Sequence, residues 1–178
     1  MIAKKILPIL LLLLISVLFF LPYFLNSRIP YAADFTGSDL TELNLPLRFL
    51  AAESWKNGEV PLWTNLLSNG FPILAEGQAG VFYPLNLILF TQLPFGLAVN
   101  FTFLINFFLA GLFVYLYCRE LKISQLGSIF AAVAFSFSGF FIFRLKHLNL
   151  INAAIWLPLV LYLIEKYFKA KRKDLVII

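Results

Sequence analysis

The sequence holds one cysteine, one histidine and one methionine in 178 residues, and only 13% of it is charged. A lone Cys118 excludes an intrachain disulfide, and one thiol cannot build a metal site. A single histidine, His147, excludes a multi-histidine metal centre within the chain. Charge is about half the roughly 25% usual in a soluble domain. No glycine-rich nucleotide loop, phosphate loop, HExxH or CxxC is present. The formal charge of +5 matters through its placement rather than its size, and nucleic acid is not an expected partner.

What fills the chain instead is apolar. Hydrophobic residues make up 61% of it, with 21 phenylalanines, and the mean hydropathy is +0.89. Residues 97–117 and 126–143 carry no charge before Arg144. Residues 148–168 carry only Glu165 and Lys166, in the last turn, and residues 6–25 form a fourth run behind a basic head. A bilayer core about 30 Å thick is crossed by roughly 20 apolar residues of helix, and in lipid a backbone must satisfy its own hydrogen bonds. The reading is an all-α, polytopic transmembrane bundle forming a single membrane domain over 1–178, with spans at 6–25, 97–117, 126–143 and 148–168 and a further span starting near 175. The run 6–25 is longer than a usual signal-peptide core and reads as an uncleaved first span. The renewed apolar run at the end makes the chain an expected fragment of a longer protein. The small residues of 126–143, Gly127, Ser128, Ala131, Ala132, Ala134, Ser136, Ser138 and Gly139, suit close packing in lipid and predict a central helix. Pro158 predicts a bend in the last span.

Lys4, Lys5, Arg119, Lys122, Lys166, Lys169, Lys171, Arg172 and Lys173 fall on one side of such a bundle, nine of the fourteen basic residues. The positive-inside rule then puts the N-terminus in the cytoplasm of a cell membrane and residues 26–96 outside it, with the basic cluster 166–173 against anionic membrane lipids. Within this long first loop, Asp39 as N-cap and Glu42 at the third helical position form a capping-box pattern. It opens an interfacial helix over 40–56, with Leu43, Leu47, Leu50 and Ala51 on its apolar side and Arg48 and Lys56 elsewhere. Residues 59–84 alternate turn formers with Trp63, Phe71, Ile73, Phe82 and Tyr83, which suggests an ordered loop at the membrane surface. A second surface helix is expected at 84–93, between two prolines.

Three groups of side chains could carry chemistry. Arg144, Lys146 and His147 crowd into the turn after residue 143 against the charge rule. A fork-shaped guanidinium and a point charge both suit phosphate oxygens, while a solvated turn with snorkelling side chains is the plainer reading and the favoured one. Asp34 and Asp39 follow the first span. A carboxylate there can serve as general base toward an acceptor hydroxyl or help hold a divalent metal. Asp39 also fits its capping role, and Asp34 fits loop solvation. Glu76, with Gln78 and Asn69 nearby, sits among Gly70, Pro72, Gly77 and Gly80. It fits sugar hydroxyls, or an ion pair with Arg48 or Lys56. Placement of Asp39, Glu76 and Arg144 around one cavity would favour transfer chemistry, and their separation the plainer readings.

The segments GSD at 37–39, NGEVPLWTNLLSNGFPILAEGQAGVFYPLN at 57–86, LAG at 109–111, AAVAFSFSGFFIFRLKHLN at 131–149 and AAIWLPL at 153–159 together resemble the bacterial YfhO-type membrane protein family. That family resembles glycosyltransferases of the GT-C type, which use polyprenyl-phosphate-linked sugars on the outer face. The resemblance implies transfer of a sugar from such a donor to a cell-envelope acceptor. Asp39 is then the base with Asp34 as runner-up, and Arg144, Lys146 and His147 lie near the lipid phosphate. Members have around a dozen spans, against four complete ones here. A transporter or flippase component and a non-catalytic assembly protein are the alternatives.

Overall fold

The computed structural model describes residues 2–33 and 37–175. Asp34 and residues 176–178, where the first runner-up base and the body of a further span were expected, lie outside them. Among the described residues eight α-helices follow in order: α1 Ile2–Leu25, α2 Leu45–Lys56, α3 Pro84–Gln92, α4 Phe95–Glu120, α5 Gln125–Ser136, α6 Gly139–Phe143, α7 Leu148–Ala154 and α8 Trp156–Leu175. No strand occurs among the described residues, and Thr64 and Phe71 form one isolated antiparallel bridge. Among the described residues four stretches, 6–25, 95–120, 125–146 and 148–171, are long and apolar enough to cross a membrane. Their outward side chains include Leu7, Leu10, Leu14 and Leu18 of α1, Phe130 of α5 and Leu157 and Leu163 of α8. Such an apolar exterior suits lipid and would be an association hazard in water.

The most enclosed helix is α4, with 67% of its apolar window buried, against 22% for residues 125–146. The expectation of a central 126–143 helix is therefore corrected. Its small residues do what packing in lipid requires, but from the flank. Ala132 and Ser136 of α5 are buried against Gly111 of α4, where an added Cβ would stand 3.3 Å from Ser136 Oγ. Aromatic rings fill the space around α4. Phe107 meets Phe20 edge-on at 5.0 Å and Phe141 at 5.5 Å between centroids.

Two expected spans are interrupted. The run 126–143 breaks at Phe137 and Ser138 between α5 and α6, then tightens into a 3₁₀ turn, Arg144–Lys146. The last span breaks at Ile155, three residues ahead of the expected bend. Pro158 has no N–H to give the carbonyl of Ala154 and its ring crowds that carbonyl. Placed in the first turn of α8, where N–H groups have no helical partner anyway, it costs little. The bundle thus has two ends. The loop end carries residues 26–33 and 37–94 and the 144–147 turn. At the other end Lys169 of α8 bonds Glu120 of α4 at 3.1 Å and Glu165 at 3.4 Å.

The long loop has a core of its own. Leu47 and Ala51 of α2 pack on Ile73, Ala79 and Val81. It is moored to the bundle by Asn100 of α4, which donates to the carbonyl of Arg28 at 2.9 Å.

Candidate functional site

The segment before α2 is built unlike the expected capped helix. Leu40–Asn44 is one turn of π-helix, closed by Leu45 N–H donating to Leu40 O. Pro46 sits in the first turn of α2 and cannot donate to Glu42, so the α ladder cannot run through this point. Such wide turns re-aim side chains and recur at functional sites. Glu42 does reach back, but to Ser38 N–H at 3.4 Å, while Asp39 makes no side-chain cap. The capping role expected for Asp39 is corrected: it stands at the N-cap position but its carboxylate makes no cap bond, and the N–H groups of Thr41 and Glu42 are taken by the backbone oxygen of Ser38.

That carboxylate meets His147. Nε2 of His147 lies 3.0 Å from Asp39 Oδ2, with the histidine side chain 16% and the aspartate 55% exposed. Nδ1 of His147 is buried with no partner among the described residues, and Nε2 is the ring nitrogen placed to donate to Asp39. His147 is held between the 3₁₀ turn and α7, its N–H donating to Arg144 O at 2.8 Å. Asn44, fully buried, clips the two segments together. Its Nδ2 donates to Asp39 O at 3.1 Å and to Lys146 O at 3.4 Å, across 102 residues of chain. Beside this junction Arg144 and Lys146 line an open recess of about 810 Å³ with Ala32, Ala33, Gly139, Phe140 and Phe143.

Glu76 and Gln78 belong elsewhere. Glu76 caps a short turn, Gly77–Ala79, by accepting from Gln78 N–H at 2.7 Å and Ala79 N–H at 3.0 Å, and Gln78 Nε2 adds a bond at 3.3 Å. Arg144 lines its recess without Glu76 or Asp39, so the arrangement of all three around one cavity that would favour transfer chemistry is not met, and Glu76 keeps the plainer role of a turn cap. Gln78 lines a second cavity of about 230 Å³ with Arg48, Gly77, Gly80, Tyr83, Asn149, Asn152, Ala153 and Trp156.

Arg48 is the residue that pattern reading misplaced. It was expected on the polar side of its helix and is 2% exposed. Nη1 donates to Asn44 Oδ1 at 2.9 Å. Burial pushes its pKa down to about 10, with Glu76 and then Tyr83 opposing the shift. The Tyr83 hydroxyl is pushed up, first by burial, against a hydrogen bond from Trp156 and the charge of Arg48. One signal was available: Asn44 and Arg48 stand four residues apart and so share one helical face, the face that also carries Leu47 and Ala51. Within the bundle Asn106 donates to Asn152 Oδ1 at 2.8 Å. No three His, Cys, Asp or Glu side chains cluster to hold a metal among the described residues.

Fold and site together define a polytopic helical membrane protein with a polar, cleft-bearing loop end. Residues 79–178 match the family described as Bacterial membrane protein YfhO, and over this majority of its length the chain belongs to that family. The match includes Arg144, Lys146, His147, Asn149 and Trp156, while Asp39, Arg48, Glu76 and Gln78 precede it. No curated protein and no solved structure matches the chain.

Proposed function

We propose that the chain acts in the transfer of a sugar from a polyprenyl-phosphate donor to a cell-envelope acceptor on the extracytoplasmic side. The observation that carries this reading is the Asp39–His147 pair, 3.0 Å apart, beside a recess lined by Arg144 and Lys146. In the step envisaged, Asp39 takes the proton of the acceptor hydroxyl as its oxygen bonds the anomeric carbon. The bond from that carbon to the phosphate oxygen breaks, and the electron pair leaves with the polyprenyl phosphate. His147 holds the carboxylate in place, and Arg144 and Lys146 neutralise the leaving phosphate. Membrane lipids and the lipid-linked donor are the partners this chemistry requires. The orientation follows from the charge distribution.

Asp39→Asn in the full-length protein keeps size and hydrogen-bonding capacity but removes the base. Transfer of radiolabelled hexose from a polyprenyl-phosphate carrier should fall by about a hundredfold or more, the range for a lost general base. Unchanged transfer by the folded variant would remove Asp39 from the mechanism. A second reading, passage of a polar ligand across the bilayer, draws on the interrupted helix pairs α5/α6 and α7/α8 and on the buried Asn106–Asn152 bond, since broken helices accompany transport sites. Ligand-protected labelling from both membrane faces would favour it, and protection from one face alone would favour transfer.

A further inference from the structure

The cavity around Arg48 is a built polar site that the proposed transfer step does not use. It lies on the far side of Asn44 from the Asp39–His147 pair: the amide of Asn44 faces Asp39 and Lys146, and its oxygen faces Arg48. The guanidinium is fixed by Nη1 alone, and Nε and Nη2 are buried without a hydrogen-bond partner among the described residues. These two atoms carry the parallel N–H groups along one edge of the guanidinium, the edge that grips two oxygens of a phosphate or carboxylate at once. A buried charged donor is costly to leave unpaired, so a bare fork of this kind implies a group to fill it. Glu76 does not fill it, because neither of its oxygens lies within hydrogen-bond distance of Nε or Nη2 and both are turned to Gln78 and Ala79.

The rest of the wall says what the oxyanion is attached to. Asn149 Oδ1 is a second buried atom with no partner among the described residues, and an amide oxygen calls for a donor such as a hydroxyl. Trp156 offers an indole face. Gly80 keeps bare backbone beside the fork, where an added Cβ would stand 3.9 Å from Arg48 Nη2. The volume of about 230 Å³ is several times the roughly 30 Å³ share of one water. We propose that the Arg48 cavity binds a phosphorylated sugar or polyol, its phosphate on the Nε–Nη2 edge of Arg48, a hydroxyl on Asn149 and its ring or chain against Trp156. This site does not rest on the transferase reading.

The test is a binding titration on the full chain in detergent micelles, with Trp55→Phe and Trp63→Phe so that Trp156 reports alone. Glucose 1-phosphate and inorganic phosphate should each quench its fluorescence saturably, and glucose alone should not. Arg48→Lys keeps the charge but loses the fork, and should weaken both phosphates at least tenfold. Asn149→Ala should weaken glucose 1-phosphate severalfold and leave inorganic phosphate unchanged. Asn149→Asp, which sets a negative charge at the site, should weaken both tenfold or more and decides the matter if Arg48→Lys does not fold. Phosphatidylglycerol added to the micelles separates the sources. If it competes with glucose 1-phosphate the site takes a lipid headgroup, and if it does not the site takes a soluble phosphate, either result supporting the proposal. Absence of saturable quenching by every probe, or unchanged affinities in the folded Arg48 and Asn149 variants, would overturn it.

Discussion

Asn44 is the residue on which the loop end should depend most, and replacing it by alanine gives a number to measure. Its side chain supplies three bonds from a position with no exposed surface: to Asp39 O, to Lys146 O and from Arg48 Nη1. A hydrogen bond to a charged group contributes about 1.5–3 kcal/mol. Without it the buried Arg48 keeps only a contact of 3.4 Å to the backbone oxygen of residue 44. Adding about 1 kcal/mol for the two carbonyl contacts, Asn44→Ala should destabilise the protein by about 3 kcal/mol.

The origin of that cost is testable by a cycle with Arg48→Met. Depression of the Arg48 pKa to about 10 corresponds to roughly 3 kcal/mol of penalty on the charged form, at about 1.36 kcal/mol per unit. Methionine removes the penalty but strands Asn44 Oδ1, at about 1–3 kcal/mol. Arg48→Met alone should therefore leave stability unchanged or raise it by up to about 2 kcal/mol, as replacement of a buried charge by an apolar residue of similar volume often does. In that background Asn44→Ala has no charged partner to lose and also removes the stranded Oδ1, so its cost should drop to about zero or below, leaving a coupling of at least about 3 kcal/mol. Sodium dodecyl sulfate titration in mixed micelles, followed by tryptophan fluorescence, measures all four species. A coupling under about 0.5 kcal/mol, the scatter of independent sites, would refute the view that Asn44 serves mainly to hold Arg48. A loss of 3 kcal/mol or more in Arg48→Met would show that the arginine is kept for stability.

Gly80 has φ of +60° and a Cβ there would lie 2.6 Å from Asn86 Nδ2. Gly80→Ala should cost about 2 kcal/mol in the same titration, about half from left-handed backbone strain and half from the Asn86 bond to Gly80 O. Gly111→Leu drives a large side chain into Ser136 and Ala132 at the α4–α5 contact and should destabilise by at least the 1–3 kcal/mol of ordinary overpacking, whereas Gly111→Ala, meeting Ser136 Oγ at 3.3 Å, should be tolerated within about 1 kcal/mol. Orientation is checked with Asn57→Cys in a Cys118→Ser background. A membrane-impermeant maleimide applied to intact cells should label residue 57, and labelling only after lysis would place the loop in the cytosol and remove the proposed extracytoplasmic chemistry.

The membrane-spanning character was legible because it is written in runs of uncharged residues, each long enough for a bilayer, and burial in lipid needs no information from the rest of the chain. The interior arrangement was not, since it depends on which polar residues find each other. Asn100, Thr102 and Asn106 in the middle of an apolar helix were the sign that α4 and not its small-residue neighbour is enclosed: each is buried, and a polar group in such surroundings requires a partner. The capping role read for Asp39 failed because Pro46 interrupts the helical ladder and the Asp39 carboxylate makes no cap bond, lying against His147 instead. Arg48 was misread because an arginine on a surface helix is ordinarily solvated. Its burial depends on Ile73, Ala79 and Val81 closing over α2, a contact between segments that no local pattern encodes. The same closure turns a surface cation into a fork at the wall of a cavity, so the part of the molecule hardest to read from local sequence is also the part with the most chemistry left unpaired.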